Sequence, residues 1–224
     1  MVTAAGAAAA PDPSIPPLSP QAGAAGLLDV RSVVPDAVID LRYATANNFV
    51  GRPLYPADAR CLVHESIAPG LATAAAVLRA RGNRLVFWDC YRPHDVQVAM
   101  FAAVPNPAWV AKPGQYARSH ESGRSVDVTL ARPCATGLCL VDMGTDFDDF
   151  SARAHAYATE GVSTQAQANR GTLRDAMAAD EVVRGPLAGQ SRLFCCIGCR
   201  AAAQGIEQTG LGDYYRLRDA VAAP

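Results

Sequence analysis

An imidazole and a carboxylate, two side chains that bind metals, stand seven positions apart in Ser119-His120-Glu121-Ser122-Gly123-Arg124-Ser125-Val126-Asp127. Gly123 permits a tight turn. After it the residues alternate, placing Val126, Val128 and Leu130 on one face of a strand and Asp127 and Thr129 on the other. A bend at Gly123 can bring His120 and Asp127 onto one cation with a coordination position left open for chemistry. The spacing is equally that of a loop histidine beside a surface strand. A second passage, Trp88-Asp89-Cys90-Tyr91-Arg92-Pro93, delivers a carboxylate and a guanidinium to one loop. Arg92 suits an oxyanion, because its planar fork stays charged at any working pH and meets two oxygens at once; the alternative is a structural Asp-Arg pair. A third passage, Val141 to Phe150, is acidic and contains Gly144, so it can receive an ammonium group or simply be a solvated charge run.

These passages need elements to hold them. Val38 to Tyr43 has the period of a strand, and Asn47 to Asp58 is a loop rich in Gly and Pro. Glu65 to Arg81 places Ile67, Leu71, Ala75 and Leu78 on one helical face, stopped by Gly82-Asn83. Leu85 to Trp88 is a short apolar run of a buried strand leading straight into the Asp89 loop. Pro93 opens a second helix with Val96, Met100 and Val104 along a face. Leu138 to Val141 is a partner strand for Ser125 to Leu130 across a short turn, and Thr164 to Ala179 is a helix capped by Ser163. This order predicts an α+β fold, a small antiparallel sheet with helices packed on it and the metal site on the sheet face.

The chain has 224 residues, half of them apolar, and a net charge of -1, which describes one globular domain with a real core. No concentrated positive charge is available to displace counterions, which argues against a nucleic-acid partner. The longest apolar run falls far short of the roughly 20 residues that cross a bilayer. Residues 1–29, rich in Ala and Pro, read as a disordered leader. They leave the compartment open between cytoplasm and cell envelope, since a truncated signal peptide would look similar. Of the seven cysteines, Cys134 and Cys139 flank a four-residue turn and can close it with a disulfide if the protein is exported.

Taken in order, Asp40-Leu41-Arg42-Tyr43 continuing to Gly51, Trp88 to Pro93, Ser-His-x-x-Gly-x-x-x-Asp, Met143-Gly144-Thr145-x-Phe147-Asp148, and Gln165-x-x-x-Asn169-Arg170 resemble the zinc D-alanyl-D-alanine dipeptidases of the vancomycin-resistance type over residues 30 to 177. The resemblance implies zinc bound by His120 and Asp127, transition-state stabilisation by Arg92, and an Asp148 that meets the free amino group of a small dipeptide. His155 matches a further family histidine and reads as structural. Related peptidoglycan carboxypeptidases and endopeptidases share the zinc motif, but the Asp40 block and the Asp148 loop favour the dipeptidase.

The family ends its site with Glu-x-x-His, supplying the general base and third zinc ligand, and no histidine follows His155 here. Glu181-Val182-Val183-Arg184 keeps a Glu but puts a guanidinium, which repels zinc, at the ligand position. The sequence thus divides into a leader (1–29), a dipeptidase-like domain (30–179) and an aberrant tail (180–224) with Cys195, Cys196 and Cys199. A reading frame that slipped near Ala179 is the favoured explanation, with replacement thiolates from Cys196 and Cys199 as the rival. Two functions follow: zinc-dependent hydrolysis of D-Ala-D-Ala, or an impaired relative that at most binds the dipeptide.

Overall fold

The computed structural model describes residues 15–114, 119–178, 183–187 and 190–194. The described residues include the last part of the segment expected to be a leader. Ser19 caps a short helix α1 (Pro20–Ala24), its hydroxyl accepting from the Ala22 amide at 3.1 Å, and β1 (Leu27–Asp29) follows. What fixes this stretch is burial: Leu27 is in the core, and buried Asp29 accepts from both Arg31 and Arg60. Residues 1–14 lie outside the described set.

Strand β2 is only Val38–Ile39, shorter than the alternation predicts. The chain leaves the sheet at Asp40, whose carboxylate accepts from Arg42 Nε (2.8 Å) and Trp88 Nε1 (3.2 Å), and coils so that Tyr43 is buried. Strand β3 (Leu62–His64) pairs antiparallel with β1. Helix α2 (Ala68–Ala80) starts three residues later than the pattern indicated, because Glu65–Ile67 form a 3-10 turn capped by His64. Leu71, Ala74, Ala75 and Leu78 make its buried face. Next come β4 (Arg84–Asp89), α3 (His94–Ala103, with Pro93 at the cap), β5 (Asp127–Cys134), β6 (Gly137–Leu140) and α4 (Thr164–Met177), capped by the Ser163 hydroxyl at 3.1 Å.

The main sheet has the order β2-β4-β5-β6. Its β4-β5 and β5-β6 pairs are antiparallel, as expected, and the edge pair β2-β4 is parallel. Leu85 and Phe87 of β4 and Leu130 of β5 share a core with Leu71 and Leu78 of α2 and Ala176 of α4. A second, aromatic-rich cluster around Tyr43, Tyr55, Val96, Met100 and Val110 underlies the loops. Cys134 and Cys139 close the β5-β6 turn with a disulfide (Cα–Cα 5.9 Å). A further disulfide, Cys61–Cys90 (Cα–Cα 5.2 Å), fastens the start of β3 to the end of β4. Beyond α4, β7 (Val183–Leu187) and β8 (Gln190–Phe194) form an antiparallel pair of their own. Glu181, Cys195, Cys196 and Cys199 lie outside the described residues. Among the described residues no helix is long and apolar enough to cross a membrane.

Candidate active site and metal centre

Strand β4 pairs regularly with β5 until Phe87 meets Val128; then the register shifts, and Asp89 stands directly opposite Asp127. An extra residue at Trp88 is a bulge, which bends the strand and re-aims the side chains after it. Two like charges facing each other need a cation, and Arg92 supplies it. Its Nε and Nη2 donate to Asp89 Oδ2 at 2.9 and 2.6 Å, and Nη2 stands 3.6 Å from Asp127 Oδ2. Asp89 is fully buried, and its other oxygen accepts from the Tyr55 hydroxyl (2.6 Å) and the Cys90 amide (2.9 Å).

The loop carrying His120 is laced to the loop carrying Arg92. The Arg92 amide donates to the His120 carbonyl (3.2 Å), and His120 Nδ1 donates to the Cys90 carbonyl at 3.0 Å. That second bond commits Nδ1 as a donor and turns Nε2 onto Asp127 Oδ1 at 3.4 Å, where it donates to the carboxylate when protonated and offers its lone pair to a cation when neutral. Gly123, with φ +68°, makes the intervening turn, and its carbonyl accepts from the His64 amide at 2.8 Å. A Cβ there would lie 2.7 Å from Leu27 Cδ2 and 3.0 Å from the His64 nitrogen, so both backbone conformation and space demand glycine.

Asp148 is presented from a strained position, φ +58°, inside the acidic loop. Its two oxygens accept from the Tyr43 hydroxyl (3.0 Å) and the Phe49 amide (3.1 Å), so the Asp40-to-Gly51 block is the seat of this carboxylate. Helix α4 holds the loop from the other side. Asn169 Nδ2 donates to the Asp142 carbonyl (2.7 Å), Arg170 Nε to the Met143 carbonyl (2.6 Å) and Arg170 Nη1 to the His155 carbonyl (3.1 Å). The His155 ring stacks on Trp109 at 5.4 Å.

Arg92, His120, Asp127 and Asp148 therefore line one cavity of about 710 Å³, walled by Tyr43 and Trp109. Arg92, His120 and Asp127, picked out by type and spacing, are brought together with Asp148, which the family resemblance named. Burial pushes His120 down and Asp127 up, but their mutual hydrogen bond and opposite charges prevail, so the imidazole pKa is raised and the carboxylate lowered. Burial raises Asp89 despite Arg92 beside it. Burial also raises Asp148, to about 6, against the opposing hydrogen bonds from Phe49 and Tyr43.

The donor set fits a divalent cation. Two ligands each about 2.1 Å from a tetrahedral zinc stand about 3.4 Å apart, which matches the His120 Nε2 to Asp127 Oδ1 separation. Asp89 offers an oxygen within 4.8 Å of both ligand atoms. Its lone pairs are already spent on Arg92, Tyr55 and Cys90, so it serves the cluster as a counter-ion rather than as a third ligand. The remaining histidines are engaged elsewhere: His64 with Ser66 and Arg124, His94 with Glu121, and His155 with Trp109.

Residues 23–186 match the family described as D-ala-D-ala dipeptidase. The chain belongs to that family. It is similar to the D-alanyl-D-alanine dipeptidase of Escherichia coli (strain K12), at 35% identity over 144 residues, 64% of this chain and 72% of the relative. It is also similar to the dipeptidases of Enterococcus faecium and Enterococcus faecalis (strain ATCC 700802 / V583), each at 31% identity, over 62% of this chain and 76% of the relative. Residues 175–224 match a different family, described as a putative metal-binding domain of cation transport ATPase. The two matches overlap over residues 175–186.

Proposed function

We propose that this family member hydrolyses the free D-Ala-D-Ala dipeptide of peptidoglycan precursor metabolism with zinc held by His120 and Asp127. The observation that carries the reading is the His120 Nδ1 bond to the Cys90 carbonyl, which turns Nε2 onto Asp127 in the cavity that also holds Arg92 and Asp148. Zinc, when bound, acidifies a water to a hydroxide nucleophile. The chain's own residues do the rest. Asp148, ionised above its pKa of about 6, receives the substrate ammonium and sets the position of the peptide bond. Arg92 stays charged, since Asp89 and Asp127 outweigh the burial that opposes its charge, and it faces the oxyanion that grows on the scissile carbonyl. The Asp89 carboxylate holds that guanidinium in place.

A second reading, a dipeptide-binding relative without turnover, is favoured by the four histidines being already accounted for and by the change of family at 175–224. With two protein ligands, zinc affinity falls steeply. Under either reading the tail, with Cys195, Cys196 and Cys199, is proposed as a separate soft-metal segment, because thiolates select soft and borderline cations. Metal analysis of the full chain, combined with ninhydrin detection of released D-alanine, separates the two. One tightly held zinc, lost in His120→Ala, together with dipeptide cleavage supports the hydrolase. Saturable dipeptide binding without cleavage supports the relative, and no binding at all refutes both.

A further inference from the structure

Arg92 is gripped by a second side chain that no charge pattern reveals. Gln97 lies on the buried face of α3 between Val96 and Met100 and is 3% exposed. A glutamine buried there needs both ends of its amide satisfied. Both are: Oε1 accepts from Arg92 Nη1 at 2.7 Å, and Nε2 donates to the Ala111 carbonyl at 2.6 Å. The orientation of the amide follows from its partners, because a guanidinium only donates and a carbonyl only accepts. Ala111 continues the wall formed by Trp109 and Val110 along the cavity, and Trp109 packs against Phe150 at 5.5 Å.

Asp89 holds Arg92 along one edge, through Nε and Nη2, which leaves the plane free to tilt about that edge. A bond to Nη1 removes the tilt. Of the five guanidinium N–H groups, Asp89 takes two and Gln97 one, so one on Nη1 and one on Nη2 remain, with Nη2 3.6 Å from Asp127 Oδ2. We infer that Gln97 is a positioning residue that fixes the plane of the Arg92 guanidinium. The inference rests on the role proposed for Arg92 above.

The test uses the full chain loaded with zinc, with Gln97→Met, which removes both bonds, and Gln97→Glu, which keeps the acceptor for Arg92 and removes the donor to Ala111. Nitrogen NMR of the Arg92 side chain reads the clamp directly, independent of any ligand. Wild type and Gln97→Glu show hindered rotation about Cζ–Nη1, and Gln97→Met shows averaged Nη signals. Affinity for a tetrahedral phosphinate analogue falls about tenfold in Gln97→Met, while affinity for D-Ala-D-Ala itself changes less than about twofold. Unaltered Arg92 signals in folded Gln97→Met, lost hindrance in Gln97→Glu, or equal losses for both ligands overturn the inference. If wild type binds neither ligand, the dipeptidase reading fails, and the Arg92 signals still decide the role of Gln97. Should Gln97→Met not fold, the Gln97→Glu signals decide it.

Discussion

Removing the Cys61–Cys90 bridge should cost more than removing Cys134–Cys139, and by an amount the chain separations set. The first pair is 29 residues apart and the second 5. In the loop-closure description these constrain the unfolded chain by about 3.6 and about 2 kcal/mol at 25 °C, a difference of about 1.5 kcal/mol. Against a net stability of about 5–15 kcal/mol for a domain, the first is a large share. The buried location adds to it, since Cys61 and Cys90 are 3% and 1% exposed and lose packing when truncated. Urea unfolding of Cys61→Ala/Cys90→Ala and Cys134→Ala/Cys139→Ala, each against wild type under oxidising conditions, measures both. Because the Cys90 carbonyl orients His120, zinc affinity should fall in the first variant only. Equal destabilisation, or a larger effect at the β5-β6 turn, would refute the reasoning.

Asp148→Asn should raise the unfolding temperature at pH 8 and leave it unchanged near pH 3. The folded pKa of about 6 lies above the ordinary 3.8, so the fold disfavours the ionised form, a cost fully present above about 6 and absent below about 4. For the same reason, calorimetric affinity of the wild type for D-Ala-D-Ala should rise between pH 5 and pH 7, and a flat profile would contradict an ammonium contact. Gly123→Ala should destabilise by about 1–3 kcal/mol in denaturant titrations, from strain at φ +68° and the contact with Leu27. Arg92→Leu strands the buried Asp89 and should cost about 3–5 kcal/mol; adding Asp89→Asn should recover part of that loss, and a simple sum of the two effects would argue against a buried pair.

The sequence made His120 and Asp127 visible as a candidate pair because their chemistry is local: one turn and one strand carry both. Helix α4 was equally plain, with Ser163 as its cap and its end misplaced by two residues. The 29-residue reach of Cys61 to Cys90 had no such signal, since a bridge between the ends of two strands is a product of topology and leaves no spacing to read. Gln97 was hidden for a related reason. Reading α3 through Val96, Met100 and Val104 treats its inner face as apolar, and only the fold shows that the face meets a buried guanidinium. Val104 itself falls just past the helix end. The short β2 shows the converse, where period-two character in Val38 to Tyr43 was overridden by the demands of Asp40 on Trp88.

The tethers from Asn169 and Arg170 are complete about two turns before Met177, where α4 ends. The seam at which one family match passes into another begins at 175, downstream of every clasp on the acid loop. A change confined to residues beyond 175 therefore leaves the Asn169 and Arg170 clasps on the loop that carries Asp148 in place.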